Sequence, residues 1–178
     1  MIYYFTPYST NKNLGEMYNH YASLVQNEED WLCFIDRDCM FLADDYGHQL
    51  EEIIAIHPNV GMFTSITNRV GQKKQCHNGV ISNDPNLLNH RKITLELSKT
   101  KRHVVSPIPN PISGHLMLIK KKTWNSIGGA PENRGILSVD NTISNRVVRK
   151  GYSLMLMEGV YVTHYYRMEN YLDKSHLL

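Results

Sequence analysis

The chain has 178 residues, of which 42% are hydrophobic and 20% charged, with a formal net charge of +2. That size and balance describe a folded chain with a sizeable core and exclude a disordered one. The small net charge, with no basic stripe interleaved with aromatics, excludes a nucleic-acid-binding role, and no apolar run approaches the ~18 residues of a membrane span.

The N-terminus lacks a basic segment followed by an apolar one, so no signal peptide is expected and a cytoplasmic location is. Cys33, Cys39 and Cys76 form an odd set without short paired spacing, which argues against a zinc site or a disulfide framework. Three basic clusters, 69–74, 101–103 and 120–122, are either solvated faces or local partners for a diphosphate.

Ile2 to Phe5 is a short apolar run ending in the turn-rich Thr6-Pro7-Tyr8-Ser9-Thr10-Asn11, a strand opening into a loop. Leu14, Met17, Tyr18, Tyr21 and Val25 recur at helical spacing. Trp31 to Ile35 is an unbroken apolar strand before Asp36. Tyr46, Leu50, Ile53 and Ile54 mark a helix over 46–56 that ends at His57-Pro58, and Val60 to Ile66 reads as the next strand. Strand, helix, strand, helix, strand predicts a parallel sheet with crossover helices.

Residues 67–86 read as a loop, 87–97 as helical, and Pro107, Pro109 and Pro111 as an extended segment. His115 to Lys120 is strand-like, Lys121 to Ile127 a short helix, and Gly128-Gly129 its stop. Val139, Ile143 and Val147 predict another helix with Gly151 just past its end. Tyr152 to Met157 and Val160 to Thr163 read as two late strands. With no repeat and no linker, residues 1–178 are expected to form a single domain.

The most informative segment is the strand ending in Asp36-Arg37-Asp38. Side chains at i and i+2 of a strand share a face, so both carboxylates are expected at the carboxyl edge of the sheet, where open α/β sheets bind ligands. Two carboxylates that close repel each other and favour a cation. Magnesium takes one or two protein carboxylates and fills its shell with water and phosphate oxygens, so the pattern fits metal–phosphate chemistry.

This D-x-D after an apolar strand resembles the signature of GT-A fold glycosyltransferases, particularly the family 2 group. Gly114 to Gly129 is similar to that family's strand, short helix and glycine pair on the acceptor side. Ser138-Val139-Asp140, opening a helix that runs to Arg149-Lys150-Gly151-Tyr152, is similar to its acidic residue and following "R…G-Y/F" segment. Val160-Tyr-Val-Thr-His164 resembles its late strand, whose histidine approaches the metal. The resemblance implies a GT-A-like, Rossmann-like fold: a central mixed, mostly parallel sheet flanked by helices. In one respect the chain departs from the family, which usually places two more β/α units before the D-x-D, including an acidic contact to the nucleotide base.

The activity so implied is transfer of a sugar from a UDP- or GDP-linked donor to a hydroxyl of a saccharide or other acceptor. Asp38 would hold the metal, with Asp36 on the metal or the ribose and His164 as a further ligand. An imidazole ligand favours Mn2+ over Mg2+. Asp140 would be the general base, or simply a favoured residue in a helix's first turn. As the single acidic candidate it leans toward inversion. Thr6, Pro7 and Tyr8 would hold the base, Asn68 and Arg69 would face the same edge with the arginine on phosphate, and Gly114 and His115 would touch sugar or acceptor. Tyr161, Tyr165, Tyr166 and Arg167 are expected to pack and cap. Two alternatives stay open: a reduced, non-catalytic sugar- or nucleotide-binding module, and a haloacid dehalogenase-type phosphatase. Against the phosphatase, Cys39 stands where Thr or Val would follow the second aspartate.

Overall fold

The computed structural model describes residues 1–132 and 138–165. In chain order the elements are β1 (Ile2–Phe5), α1 (Leu14–Ser23), β2 (Trp31–Ile35), β3 (Cys39–Phe41), α2 (Tyr46–Ile56), β4 (Met62–Thr67), α3 (Leu87–Thr100), β5 (Val105–Pro107), β6 (Leu116–Lys120), α4 (Lys121–Ser126), α5 (Val139–Arg149) and β7 (Leu154–His164). The strands form one seven-stranded mixed sheet in the order β1-β2-β6-β4-β7-β3, with β5 also paired to β7. β1, β2, β4 and β7 share one direction, while β6, β3 and β5 run against them.

Alternation along the central strands explains why helices cover both faces. Leu32 and Phe34 of β2, Met62 of β4 and Met117 and Ile119 of β6 enter one apolar cluster with Tyr18 of α1, Trp124 of α4 and Ile143 and Val147 of α5. Their neighbours Trp31, Cys33, Phe63, Leu116 and Leu118 enter a second cluster with Leu50 and Ile53 of α2. A strand buried on both faces reads as a continuous apolar run rather than an alternating one, which is how β2 and β6 look in the sequence.

The helices lie where periodicity places them. Gly151, at φ 81°, ends α5 in the left-handed region that a side chain resists. Three differences concern the sheet. β4 does not pair with β2: the reversed β6 lies between them. β3 and β5 are additional short strands on one side of β7. The two late strands are one, β7, whose pairing with β4 jumps from Ser65↔Met157 to Ile66↔Tyr161. The apparent break at Glu158-Gly159 is therefore a slip in register, not an interruption of the strand. Among the described residues, no helix is long and apolar enough to cross a membrane.

Candidate functional site

Because β1, β2, β4 and β7 are co-directional, Phe5, Ile35, Thr67 and His164 all end at one edge of the sheet. β6 starts at that edge, with Leu116 opposite Ile35. A cleft of about 750 Å³ opens there, lined by Asp36, Gly114, His115, Asp140 and His164 among others.

The acidic pair is delivered by a turn rather than by strand alternation. β2 stops at Ile35, the Asp36 amide donates to the His115 carbonyl at 3.0 Å, and the Cys39 amide donates back to the Asp36 carbonyl at 3.0 Å. This tight reversal brings the chain into β3, and the Tyr165 amide donates to the Asp38 carbonyl at 2.9 Å. Burial pushes the half-buried Asp36 carboxyl up to about 6; Asp38 and Asp140 add to the rise and His164 opposes it. Asp38 is held below the usual carboxylate range, chiefly by His164.

Asp38 Oδ1 lies 3.4 Å from His164 Nε2. His164 Nδ1 lies 2.9 Å from the Arg69 carbonyl oxygen, which only accepts, so Nδ1 carries a hydrogen. Nε2 therefore faces a carboxylate either as N–H or as a lone pair. In the second case two electron-rich atoms confront each other and call for a cation. Donor atoms of Asp38, Cys39 and His164 lie within 4.8 Å of one another, so a divalent ion fits these residues. Asp36 is not one of the three. Burial, aided by Asp36 and Asp38, pushes the Cys39 thiol up, so without an ion the sulfur keeps its proton.

Behind His164 stands His115, 1% exposed, its ring stacked at 6.0 Å and 19°. Its Nε2 is 2.9 Å from Ser65 Oγ, and burial, with the charge of His164, lowers its pKa to about 3. His115 is thus a neutral wall for His164. Gln75, fully buried, ties this wall together: its Nε2 donates to Thr64 Oγ1 and the Ser113 carbonyl, and its Oε1 accepts from the Ser113 amide.

Asp140 occupies the first turn of α5 across the cleft. Its Oδ2 accepts from the Gly114 amide at 2.8 Å and its Oδ1 from the Asn141 amide at 2.8 Å. Burial raises its pKa although these hydrogen bonds pull the other way. Gly114 is glycine because of Asp140: a Cβ there would sit 2.7 Å from Asp140 Cβ and 3.3 Å from Oδ2.

The remaining sequence candidates divide. Asn68 is 1% exposed and serves His164 rather than the cleft. Its Oδ1 accepts from the His164 amide at 2.7 Å, and its Nδ2 donates to the His164 carbonyl at 3.0 Å. The Arg69 side chain donates to Asn83. Thr6, Pro7 and Tyr8 lie beyond the lining of the cleft, but the exposed Tyr8 ring carries the Arg37 guanidinium at 5.6 Å, which sets that loop beside the acidic turn. Tyr161 packs as expected, its hydroxyl 2.7 Å from His90 Nδ1. Tyr166 and Arg167 lie outside the described residues.

The roles of Cys39, Ser65 and Gln75 were missed. Only the position of Cys39 beside the D-x-D offered a signal. No family model matches the chain, and no curated protein matches it.

Proposed function

We propose that the chain is a metal-dependent glycosyltransferase with a GT-A-like fold, moving a sugar from a UDP- or GDP-linked donor to an acceptor hydroxyl. One observation carries this reading. Asp36, the Asp38–His164 pair and Asp140, drawn from segments far apart in the chain, converge on a single cleft edge.

When bound, a divalent cation neutralises the leaving diphosphate as a Lewis acid. Asp38 and His164 would hold it, and the imidazole favours Mn2+ over Mg2+. Asp36, which lines the cleft, would accept a hydrogen bond from a ribose hydroxyl. Thr6, Pro7 and Tyr8, beside Arg37, offer an aromatic face and a cation to the nucleotide. Asp140 takes the proton of the acceptor hydroxyl. Burial strengthens it as a base, and the Gly114 and Asn141 amides fix its direction. His115 and Asn68 position His164.

Calorimetric titration of UDP and GDP, with and without Mn2+, tests the reading. Expected is metal-dependent binding of one nucleotide that Asp38→Ala abolishes. Failure of both nucleotides to bind under any metal would sink it.

A further inference from the structure

We infer that Asp38, Cys39 and His164 bind a thiophilic divalent cation such as Zn2+ or Co2+, with the Cys39 sulfur as a ligand. The inference shares its location with the proposed transferase site, but it concerns the ion alone.

Strand pairing carries the argument. Cys39 and His164 are direct partners in the antiparallel β3–β7 ladder. Directly opposed residues of such a ladder project to the same face with Cβ atoms ~4.5–5.5 Å apart. The thiol and the imidazole are therefore neighbours by register, not by a chance rotamer. Asp38 precedes Cys39, and its carboxylate is already 3.4 Å from His164 Nε2.

Tetrahedral coordination at ~2.0–2.3 Å separates ligand atoms by roughly 3.3–3.8 Å. The three donor atoms, within 4.8 Å of one another, reach that arrangement with movements of about 1 Å. The Arg69 carbonyl fixes the imidazole from behind through Nδ1, the outer support that metal-binding histidines ordinarily have.

The donor set then selects the ion. One carboxylate oxygen, one imidazole nitrogen and one sulfur suit Zn2+ and Co2+ better than Mn2+ or Mg2+, in both softness and the order of intrinsic affinities. On binding, the Cys39 S–H bond breaks and the proton leaves to solvent. The electron pair stays on sulfur and forms the bond to the metal. The carboxylate and thiolate together balance the dication, and three protein ligands leave a fourth position for water or a phosphate oxygen. Cys33 and Cys76, 0% and 2% exposed, are not among these donors.

Titrating Co2+ into the protein while recording near-ultraviolet and visible absorption tests this. Expected is a thiolate-to-cobalt charge-transfer band that Zn2+ abolishes by displacement and that Cys39→Ser lacks. Zn2+ affinity should fall on the order of tenfold or more in that variant, as for loss of a metal's supporting groups, while Mn2+ affinity holds. Absence of the band from the wild-type protein overturns the inference without recourse to any variant, and so does its survival in Cys39→Ser. Circular dichroism checks the fold of Cys39→Ser, and Cys39→Ala serves in its place if needed. Nucleotide titration is separate, so a cobalt band without UDP or GDP binding would reject the transferase and keep the metal site.

Discussion

Gly114→Ala is the sharpest test of how the cleft is built. The added methyl would lie 2.7 Å from Asp140 Cβ and 3.3 Å from Oδ2, so either Asp140 or the start of α5 must retreat by most of an ångström. Retreat strains or breaks the 2.8 Å bond from the Gly114 amide to Oδ2. Overpacking costs about 1–3 kcal/mol, and a hydrogen bond to a charged group contributes ~1.5–3 kcal/mol. A loss of about 2–4 kcal/mol follows, since the two effects overlap. Urea denaturation of four proteins reads it: wild type, Gly114→Ala, Asp140→Ala and the double variant. Removing the Asp140 carboxylate clears Oδ2 and leaves no bond to lose, so the glycine substitution should become cheaper by at least ~1.5 kcal/mol in that background. An equal cost in both backgrounds would show that the bond from the Gly114 amide to Asp140 carries none of the penalty, which would then rest wholly on the Cβ contact that alanine keeps.

Asn68→Ala should destabilise by about 2–4 kcal/mol in urea, because two well-made hydrogen bonds to the His164 main chain disappear and leave buried groups unpaired. It should also weaken metal binding without altering a ligand; unchanged stability would refute the clamp. His115 makes a pH prediction. Its folded pKa, about 3, lies below the ordinary histidine value, so the unfolded chain binds the extra proton. The resulting stability is present above ~6.5 and lost as pH falls toward 3, about 3 kcal/mol between pH 7 and pH 4. Asp36, raised to about 6, titrates in the opposite sense, so the comparison must be between wild type and His115→Gln. The stability difference between them should shrink by that amount at pH 4; parallel pH profiles would refute it.

Much of the local structure was legible because it rests on local patterns. The apolar spacing of Tyr46, Leu50 and Ile53 marks α2, and Trp31 to Ile35 marks a strand buried on both faces. Partner choice was not legible. Nothing local says that β6 enters between β2 and β4, or that Cys39 meets His164, since both follow from pairing between distant segments. Asn68 shows the same limit. An asparagine after a strand suggests a ligand contact, yet burial commits it to the backbone of His164. Asp36 and Asp38 were found by residue type, but the turn that delivers them depends on the carbonyl of His115, supplied much later in the chain.

The reversed strand β6 also bears on how the protein is made. Among the described residues, β2 pairs with β1 and β6, and β4 with β6 and β7. As the chain leaves the ribosome, β1 and β2 can meet early, but β4 has no partner strand until residues 116–120 emerge. Until then β2 carries an open edge and β4 two, each rich in apolar side chains, and such edges recruit other chains. Pairings between distant segments also form slowly. Nascent chains stalled before residue 116 should therefore depend on chaperones, whereas release of the full chain closes all three edges, two of them with β6 and the third with β7.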